Sequence, residues 1–257
     1  MLLELEAVSK SFGGVTAVDA ASFGIEEGSI TALIGPNGAG KTTVFNIVSG
    51  FISADRGMIW FAGQRIENWR PDLIARAGLV RVFQSPRVLT RMSVLDNLML
   101  AATHQPGERL GMSWIAPRTV SATEKVVRRR ALEMLRLVRL DHAAGDYAGT
   151  LSGGQRKLLE LGRALMVEPR LILLDEPMAG VAPVLVQQLL DHIRLLREQH
   201  GITVCVIEHD MDVVMSISDR VIVMDEGRVI AAGSPSAIQQ DAVVIEAYLG
   251  RTGTGTA

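Results

Sequence analysis

Residues Gly35-Pro36-Asn37-Gly38-Ala39-Gly40-Lys41-Thr42 complete the pattern G-x-x-x-x-G-K-[ST], a loop that wraps backbone amides around the phosphates of a nucleotide. Such a loop works only between a strand and a helix, so it constrains the architecture around it as well as its own backbone. Both neighbours are legible. The apolar run Ile30–Ile34 reads as a strand buried on both faces, and residues 41–49 carry a helical pattern that stops at Gly50. The glycines allow a tight turn with successive N–H groups aimed inward, and the helix directs its positive end at the bound anion. Lys41 would neutralise β- and γ-phosphate charge, and Thr42 would ligate Mg2+.

A chain of 257 residues with 48% apolar content can build one large α/β domain or two small ones. Its formal net charge of −2 and isoelectric point near 6.2 disfavour a protein that wraps nucleic acid, which ordinarily carries a basic excess. The start, Met1-Leu2-Leu3-Glu4-Leu5-Glu6, alternates apolar and acidic residues and lacks the basic and apolar regions of a secretory signal. No apolar stretch approaches the roughly 18 residues of a membrane span, so the expected location is the cytosol. The single cysteine, Cys205, lies within an apolar run and reads as a buried, inert thiol. A mean hydropathy of +0.25 is high for a soluble enzyme and fits an apolar docking surface or a well-filled core.

Residues 3–8 alternate apolar and charged, Phe12-Gly13-Gly14 makes a turn, and residues 22–25 followed by Glu26-Glu27-Gly28 read as strand and hairpin turn. Together they predict an antiparallel β layer. Residues 57–63 and 78–83 read as further short strands, the second ending at Gln84. Residues 93–102 and 124–140 then turn helical, with Val127, Ala131, Leu135 and Val138 on one face of the second helix and Arg128, Arg129 and Arg136 off it. Between them, residues 104–120 carry Pro106, Gly107, Gly111 and Pro117 and read as a long loop. Residues 88–150 are therefore expected to form an inserted helical subdomain, with 1–87 and 151–250 as the catalytic core. The run Arg128-Arg129-Arg130 reads as a solvated helix face.

The second half alternates strand 171–174, helix 184–199, strand 202–207 and helix 211–218, as a parallel sheet requires. Residues 221–224, the turn Asp225-Glu226-Gly227 and residues 228–232 predict a terminal hairpin. A short helix ending near Leu249 and a disordered tail over 251–257 follow. No repeat and no second phosphate loop occur, so each chain carries one nucleotide-binding unit.

Leu171-Ile172-Leu173-Leu174-Asp175-Glu176 is an apolar strand that delivers two carboxylates at its end, where ligands bind in open parallel sheets. Asp175 would hold Mg2+ through water, and Glu176 would polarise the attacking water as a general base, a role worth ~10²–10⁴ in rate. Upstream, Leu151-Ser152-Gly153-Gly154-Gln155 opens a helix: Ser152 is a good N-cap, and the two glycines let an anion approach the exposed amides. Within one chain that anion has no obvious source. The site reads as a clamp offered to the γ-phosphate of a neighbouring subunit.

In this combination the sequence resembles the ATP-binding cassette (ABC) ATPases over almost its whole length. The resemblance implies an α/β phosphate-loop cassette with a mostly parallel core sheet, an N-terminal antiparallel β layer and an inserted helical subdomain. It implies that Phe12 stacks on adenine, in place of a more common tyrosine, and that ATP phosphates lie on Gly35, Pro36, Asn37, Gly38, Ala39, Gly40, Lys41, Thr42 and Thr43. Gln84 matches the glutamine that senses Mg2+ and the attacking water, and Thr42 and Asp175 match the other metal contacts. His209 matches the switch histidine that reaches the γ-phosphate beside Glu176, and Ser152, Gly153, Gly154 and Gln155 match the clamp. One departure stands out: Ala179-Gly180-Val181-Ala182 puts Ala182 where the family commonly has an aspartate that communicates across the dimer.

The Ala179-Gly180 step, Ile207-Glu208-His209-Asp210-Met211, the long loop before Arg128 and the ending Glu246-Ala247-Tyr248-Leu249-Gly250 are similar to one branch, the ATPases of importers for branched-chain and other hydrophobic amino acids. Importers of amides and urea, and lipopolysaccharide-export ATPases, are close by. The resemblance implies ATP and Mg2+ as cofactors, a second ABC ATPase subunit in a homo- or heterodimer, and transmembrane permease subunits. It also implies an indirect link to a solute-binding protein, no nucleic acid, and a place on the cytoplasmic face of the cell membrane. Two other readings compete. A soluble cassette ATPase without a membrane partner usually carries fused cassettes, coiled-coil arms or a basic excess, and a binding module that does not hydrolyse would not need both Glu176 and His209.

Overall fold

The computed structural model describes residues 1–103 and 117–249. The expected tail over 251–257, Gly250, and residues 104–116 of the expected long loop lie outside the described residues. The chain divides into two units, Met1–Gln84 with Arg170–Ala179 and Ile193–Ala257, and Ser85–Pro169 with Gly180–His192.

The first unit holds two sheets. Its six-stranded sheet consists of β3 (Ile30–Ile34), β6 (Leu79–Val82), β7 (Leu171–Asp175), β8 (Thr203–Ile207), β9 (Arg220–Asp225) and β10 (Arg228–Gly233), in the order β10-β9-β3-β8-β7-β6. Every pairing is parallel except β9 with β10. All residues of β3, β7 and β8 are buried, which is why these strands read as unbroken apolar runs rather than as alternating ones. Glu226 and Gly227, at φ 47° and 83°, turn β9 back into β10, and two successive positive φ values suit the right-handed twist of a tight hairpin.

The second sheet is antiparallel, in the order β2-β1-β4-β5, from β1 (Leu3–Phe12), β2 (Val15–Ile25), β4 (Arg56–Phe61) and β5 (Gln64–Arg65). The expected layer is there, but β2 begins at Val15 rather than at residue 22. Register shifts along the β1–β2 pair, with Ala7 and Ala20 at φ 47° and 48°, mark bulges that break the alternation by which a strand is recognised. One apolar core joins Ile59 and Phe61 of this layer to Val44 and Phe45 of helix α1 (Lys41–Val48) and to Leu33, Leu173 and Ile222 of the parallel sheet.

Two helical details differ from the sequence reading. A short helix, α2 (Pro71–Arg76), appears where none was expected, with Pro71 in its first turn, where a missing N–H costs nothing. The single terminal helix is two, Pro235–Gln239 and Ala242–Leu249. Ser234 caps the first, and Asp241 Oδ1 accepts the Val243 amide at 2.9 Å to start the second.

In the second unit, α3 (Val94–Ala101), α4 (Pro117–Leu137) and α5 (Gly153–Leu165) pack on one another. Helix α4 starts at Pro117, a proline that punctuates a loop in the sequence but tolerates a first helical turn, so the expected loop through residue 120 and helix start at 124 are corrected. Val127, Ala131, Leu135 and Val138 are buried as expected; Arg128 and Arg129 are exposed, and Arg130 pairs with Glu168. Leu158, Leu159 and Leu161 of α5 are buried, and α5 packs on α3 and α4.

Candidate active site

The phosphate loop leaves β3 at Gly35 and enters α1 at Gly40, and the two glycines are required for different close approaches. A Cβ on Gly35 would meet the carbonyl of Met224 at 2.0 Å, and one on Gly40, whose φ is 94°, would meet that of Ala17 at 2.4 Å. The hairpin turn after β9 clips the loop in place: the Gly227 amide donates to Ala39 O at 3.2 Å, and Gly227 O accepts from the Asp19 amide at 2.9 Å. Helix α1 has no side-chain cap and no acidic residue in its first turn, which leaves its positive end open to an anion.

Lys41 is 6% exposed and donates from Nζ to Gly35 O at 2.7 Å and Pro36 O at 2.9 Å. Burial draws its ammonium below the ordinary lysine value, while the carboxylates of Glu176 and Asp175 pull the other way. A cavity of about 290 Å³ opens over these groups, lined by Ala17, the loop from Asn37 through Gly38, Ala39, Gly40, Lys41, Thr42 and Thr43, and by Glu176 and His209. A triphosphate suits such a cradle: backbone amides, a helix N-terminus and a desolvated ammonium all favour concentrated negative charge.

Opposite the loop, register does the positioning. Asp175 pairs with Ile207 across β7 and β8, so Glu176 and His209 leave the sheet from neighbouring strand ends. Glu176 uses both carboxylate oxygens: Oε1 lies 2.5 Å from His209 Nε2, and Oε2 accepts from Gln84 Nε2 at 2.6 Å. Its backbone is held at φ 47°, a left-handed conformation that a non-glycine residue keeps only when its surroundings impose it. Three residues far apart in the chain thus meet on one carboxylate.

Asp175 differs from its neighbour. It is 6% exposed and accepts from Arg81 Nη2 at 2.6 Å, while Arg81 Nη1 donates to Asn46 Oδ1 at 2.5 Å. The guanidinium lies 4.9 Å from the Phe83 ring centre and 5.9 Å from that of Phe45. Sequence reasoning missed Arg81 and Asn46, although an arginine inside the apolar strand Leu79–Val82 is itself a signal, since a buried cation requires an anionic partner. It also missed Ala17 and the buried Glu208.

As for a metal, the candidate ligands are the Thr42 hydroxyl, the Asp175 carboxylate and the Gln84 amide, a set of oxygen donors of the kind Mg2+ accepts. Among the described residues no group of three or more His, Cys, Asp or Glu side chains is arranged to hold a metal by itself.

Phe12 ends β1 half-exposed, with Lys10 Nζ 5.5 Å from its ring centre, and does not line the cavity. In the second unit, Ser152 and Gln155 cap α5 reciprocally: Ser152 Oγ accepts the Gln155 amide at 3.2 Å, and Gln155 Oε1 accepts the Ser152 amide at 2.9 Å. Gly153 is exposed and Gly154 partly so, at the positive end of a thirteen-residue helix. Ala182 is exposed, and its carbonyl accepts the Leu185 and Val186 amides at 2.8 and 3.1 Å, so this position serves its helix through the backbone alone.

Known proteins resemble this chain over most of its length. The family description "ABC transporter" matches residues 18–179, and "Branched-chain amino acid ATP-binding cassette transporter" matches residues 228–253. A probable branched-chain amino acid transport ATP-binding protein LivG of Archaeoglobus fulgidus is 42% identical over 97% of this chain and 95% of its own. The ADP conformation of an ATP-binding cassette of an ABC transporter superposes with a TM-score of 0.81 at 36% identity, covering 97% of this chain and 98% of that one. A dimeric cassette in a post-hydrolysis state bound to ADP and Pi superposes with a TM-score of 0.75 at 25% identity, covering 91% of this chain and 98% of that one.

Proposed function

This chain belongs to the ATP-binding cassette transporter family, whose cassettes bind and hydrolyse ATP, and on that premise we propose that it drives import of branched-chain or other hydrophobic amino acids from the cytoplasmic face of the membrane. The observation that carries the reading is that Glu176 and His209 line a cavity whose other side is the phosphate loop, with the Glu176 carboxylate held by both His209 and Gln84. The C-terminal match over residues 228–253 and the LivG relative support the class of solute.

In this reading ATP lies with its phosphates along Gly35 to Thr43 and its adenine against Phe12. Lys41 exchanges the carbonyls of Gly35 and Pro36 for phosphate oxygens. Thr42 and Gln84, with Asp175 through water, would hold Mg2+, which would neutralise phosphate charge when bound. Glu176 orients and deprotonates the attacking water, and His209 holds that carboxylate in place while facing the γ-phosphate.

The clamp residues Ser152 to Gln155 act on ATP held by the partner cassette, so two chains close head to tail on two nucleotides and open after hydrolysis. The second cassette is a copy of this chain or a sister ATPase. Permease subunits take up the motion, and a solute-binding protein delivers the solute to them; among the described residues no helix is long and apolar enough to cross a membrane. The test is to isolate the intact complex from membranes and measure ATP hydrolysis with candidate solutes and their binding protein. Stimulation by leucine, isoleucine or valine is expected, and stimulation by urea, amides or lipopolysaccharide alone would overturn the solute class.

A further inference from the structure

Glu208 has no part in the chemistry described so far, yet it is the best-buried carboxylate near it, at 4% exposure. Burial pushes its carboxyl above the ordinary glutamate range, and nearby Glu176 pushes the same way. A fold does not tolerate such a group unless its oxygens are used. Here each oxygen takes a backbone amide: Oε1 accepts from Met178 N at 3.0 Å and Oε2 accepts from His209 N at 3.2 Å.

Those two amides belong to the two segments that carry the site. Met178 lies in the turn Glu176-Pro177-Met178-Ala179, which the Ala179 amide closes on Glu176 O at 3.1 Å. The turn begins with Glu176 in its left-handed conformation at φ 47°, a strained state that relaxes unless the residues after it are tied down. The Glu176 amide is fixed by Ile207 O at 3.0 Å, and the Met178 amide is fixed by Glu208. The same carboxylate holds the backbone of His209, whose ring meets Glu176 at 2.5 Å.

We propose that Glu208 is a positioning residue for ATP hydrolysis, a single side chain that fixes the turn presenting Glu176 and the backbone presenting His209, so that the two meet in register. It does not line the cavity over the phosphate loop, and nucleotide binding does not depend on it. The proposal rests on Glu176 being the base, as argued above. Replacing Glu208 by Gln leaves one acceptor oxygen and points an NH2 group at the other amide; replacing it by Leu leaves both amides without an acceptor.

The test uses the full chain and reads phosphate release against ATP concentration, with binding of a fluorescent ATP analogue measured in parallel. Glu208→Gln is expected to lower kcat about tenfold and Glu208→Leu about a hundredfold, the range a misplaced catalytic group produces, with KM and analogue affinity within about twofold of wild type. A kcat within about twofold of wild type in both variants, or a loss of analogue affinity parallel to the loss of kcat, overturns the proposal. Glu176→Gln is assayed alongside: if that variant hydrolyses ATP normally, the base assignment fails, whereas an inactive Glu176→Gln beside an active Glu208→Gln refutes only the role of Glu208. Hydrogen exchange on the wild-type chain needs no variant to fold. The amides of Met178 and His209 are expected to exchange slowly, and exchange at the rate of free peptide at either amide overturns the proposal.

Discussion

Glu176 Oε1 and His209 Nε2 lie 2.5 Å apart, although the residues are carried by different strands, and Gln84 occupies the remaining oxygen of the same carboxylate at 2.6 Å. The residues proposed as general base and switch histidine therefore meet within a single chain, and the geometry is set by the register of β7 on β8. Variants of His209 test this link. His209→Ala is expected to reduce turnover by ~10²-fold, the lower part of the range for a positioned proton-transfer partner, while leaving ATP affinity within about threefold. Loss of affinity equal to the loss of turnover in a nucleotide-binding and phosphate-release comparison would contradict it.

The phosphate-loop glycines separate two physical causes. Gly38, at φ 84°, has open space where a Cβ would stand, so Gly38→Ala carries only the cost of a left-handed alanine, about 1–2 kcal/mol. Gly40→Ala adds a collision of Cβ with Ala17 O at 2.4 Å. Thermal unfolding with and without ATP is expected to show a modest fall in midpoint for Gly38→Ala with stabilisation by ATP retained. Gly40→Ala should show a larger fall with that stabilisation gone. Equal behaviour of the two variants would contradict the steric argument.

Arg81 and Asp175 form an ion pair with side chains 5% and 8% exposed, out of reach of solvent screening. Removing one partner strands the other, so Arg81→Met is expected to cost about 3 kcal/mol in urea unfolding. A change below about 1 kcal/mol would show that Asp175 finds another partner.

Much of the candidate site was legible because the motifs that propose it are local: the glycine-rich loop, the Asp175-Glu176 strand end and the Ser152-Gly153-Gly154 cap are each contiguous, and each obeys a backbone rule. Arg81 was not, since its partner Asp175 stands 94 residues away and periodicity says nothing about pairing at that range. The strands β3, β7 and β8 were plain from their unbroken apolar runs, whereas β2 was half-hidden by the bulge at Ala20. Pro117 illustrates an ambiguity of the code, because the same residue ends loops and begins helices. That the helix Gly153–Leu165 packs on α3 and α4 is a tertiary fact, which only the folded chain shows.

Cys205 gives the pH dependence. Its thiol is 1% exposed, and burial raises its pKa from 9.0 to about 12. The unfolded thiol ionises more readily than the folded one, so the contribution of this group to stability is complete below pH 9 and is lost as pH rises toward 12. Cys205→Val removes that contribution. Between pH 9 and pH 11 the wild-type thermal midpoint is expected to fall further than that of the variant, and in native protein at pH 8 a disulfide reagent should leave the thiol untouched. Parallel pH profiles, or rapid modification of the native thiol, would contradict the burial argument.

Glu176 as the base of a cassette that closes in pairs around ATP is tested most directly by sedimentation of Glu176→Gln with ATP and Mg2+, run beside a phosphate-release assay. A stable nucleotide-bound dimer is expected, with turnover lower by ~10²–10⁴-fold, as the loss of a general base requires. Phosphate release close to wild type, with or without a dimer, would contradict it.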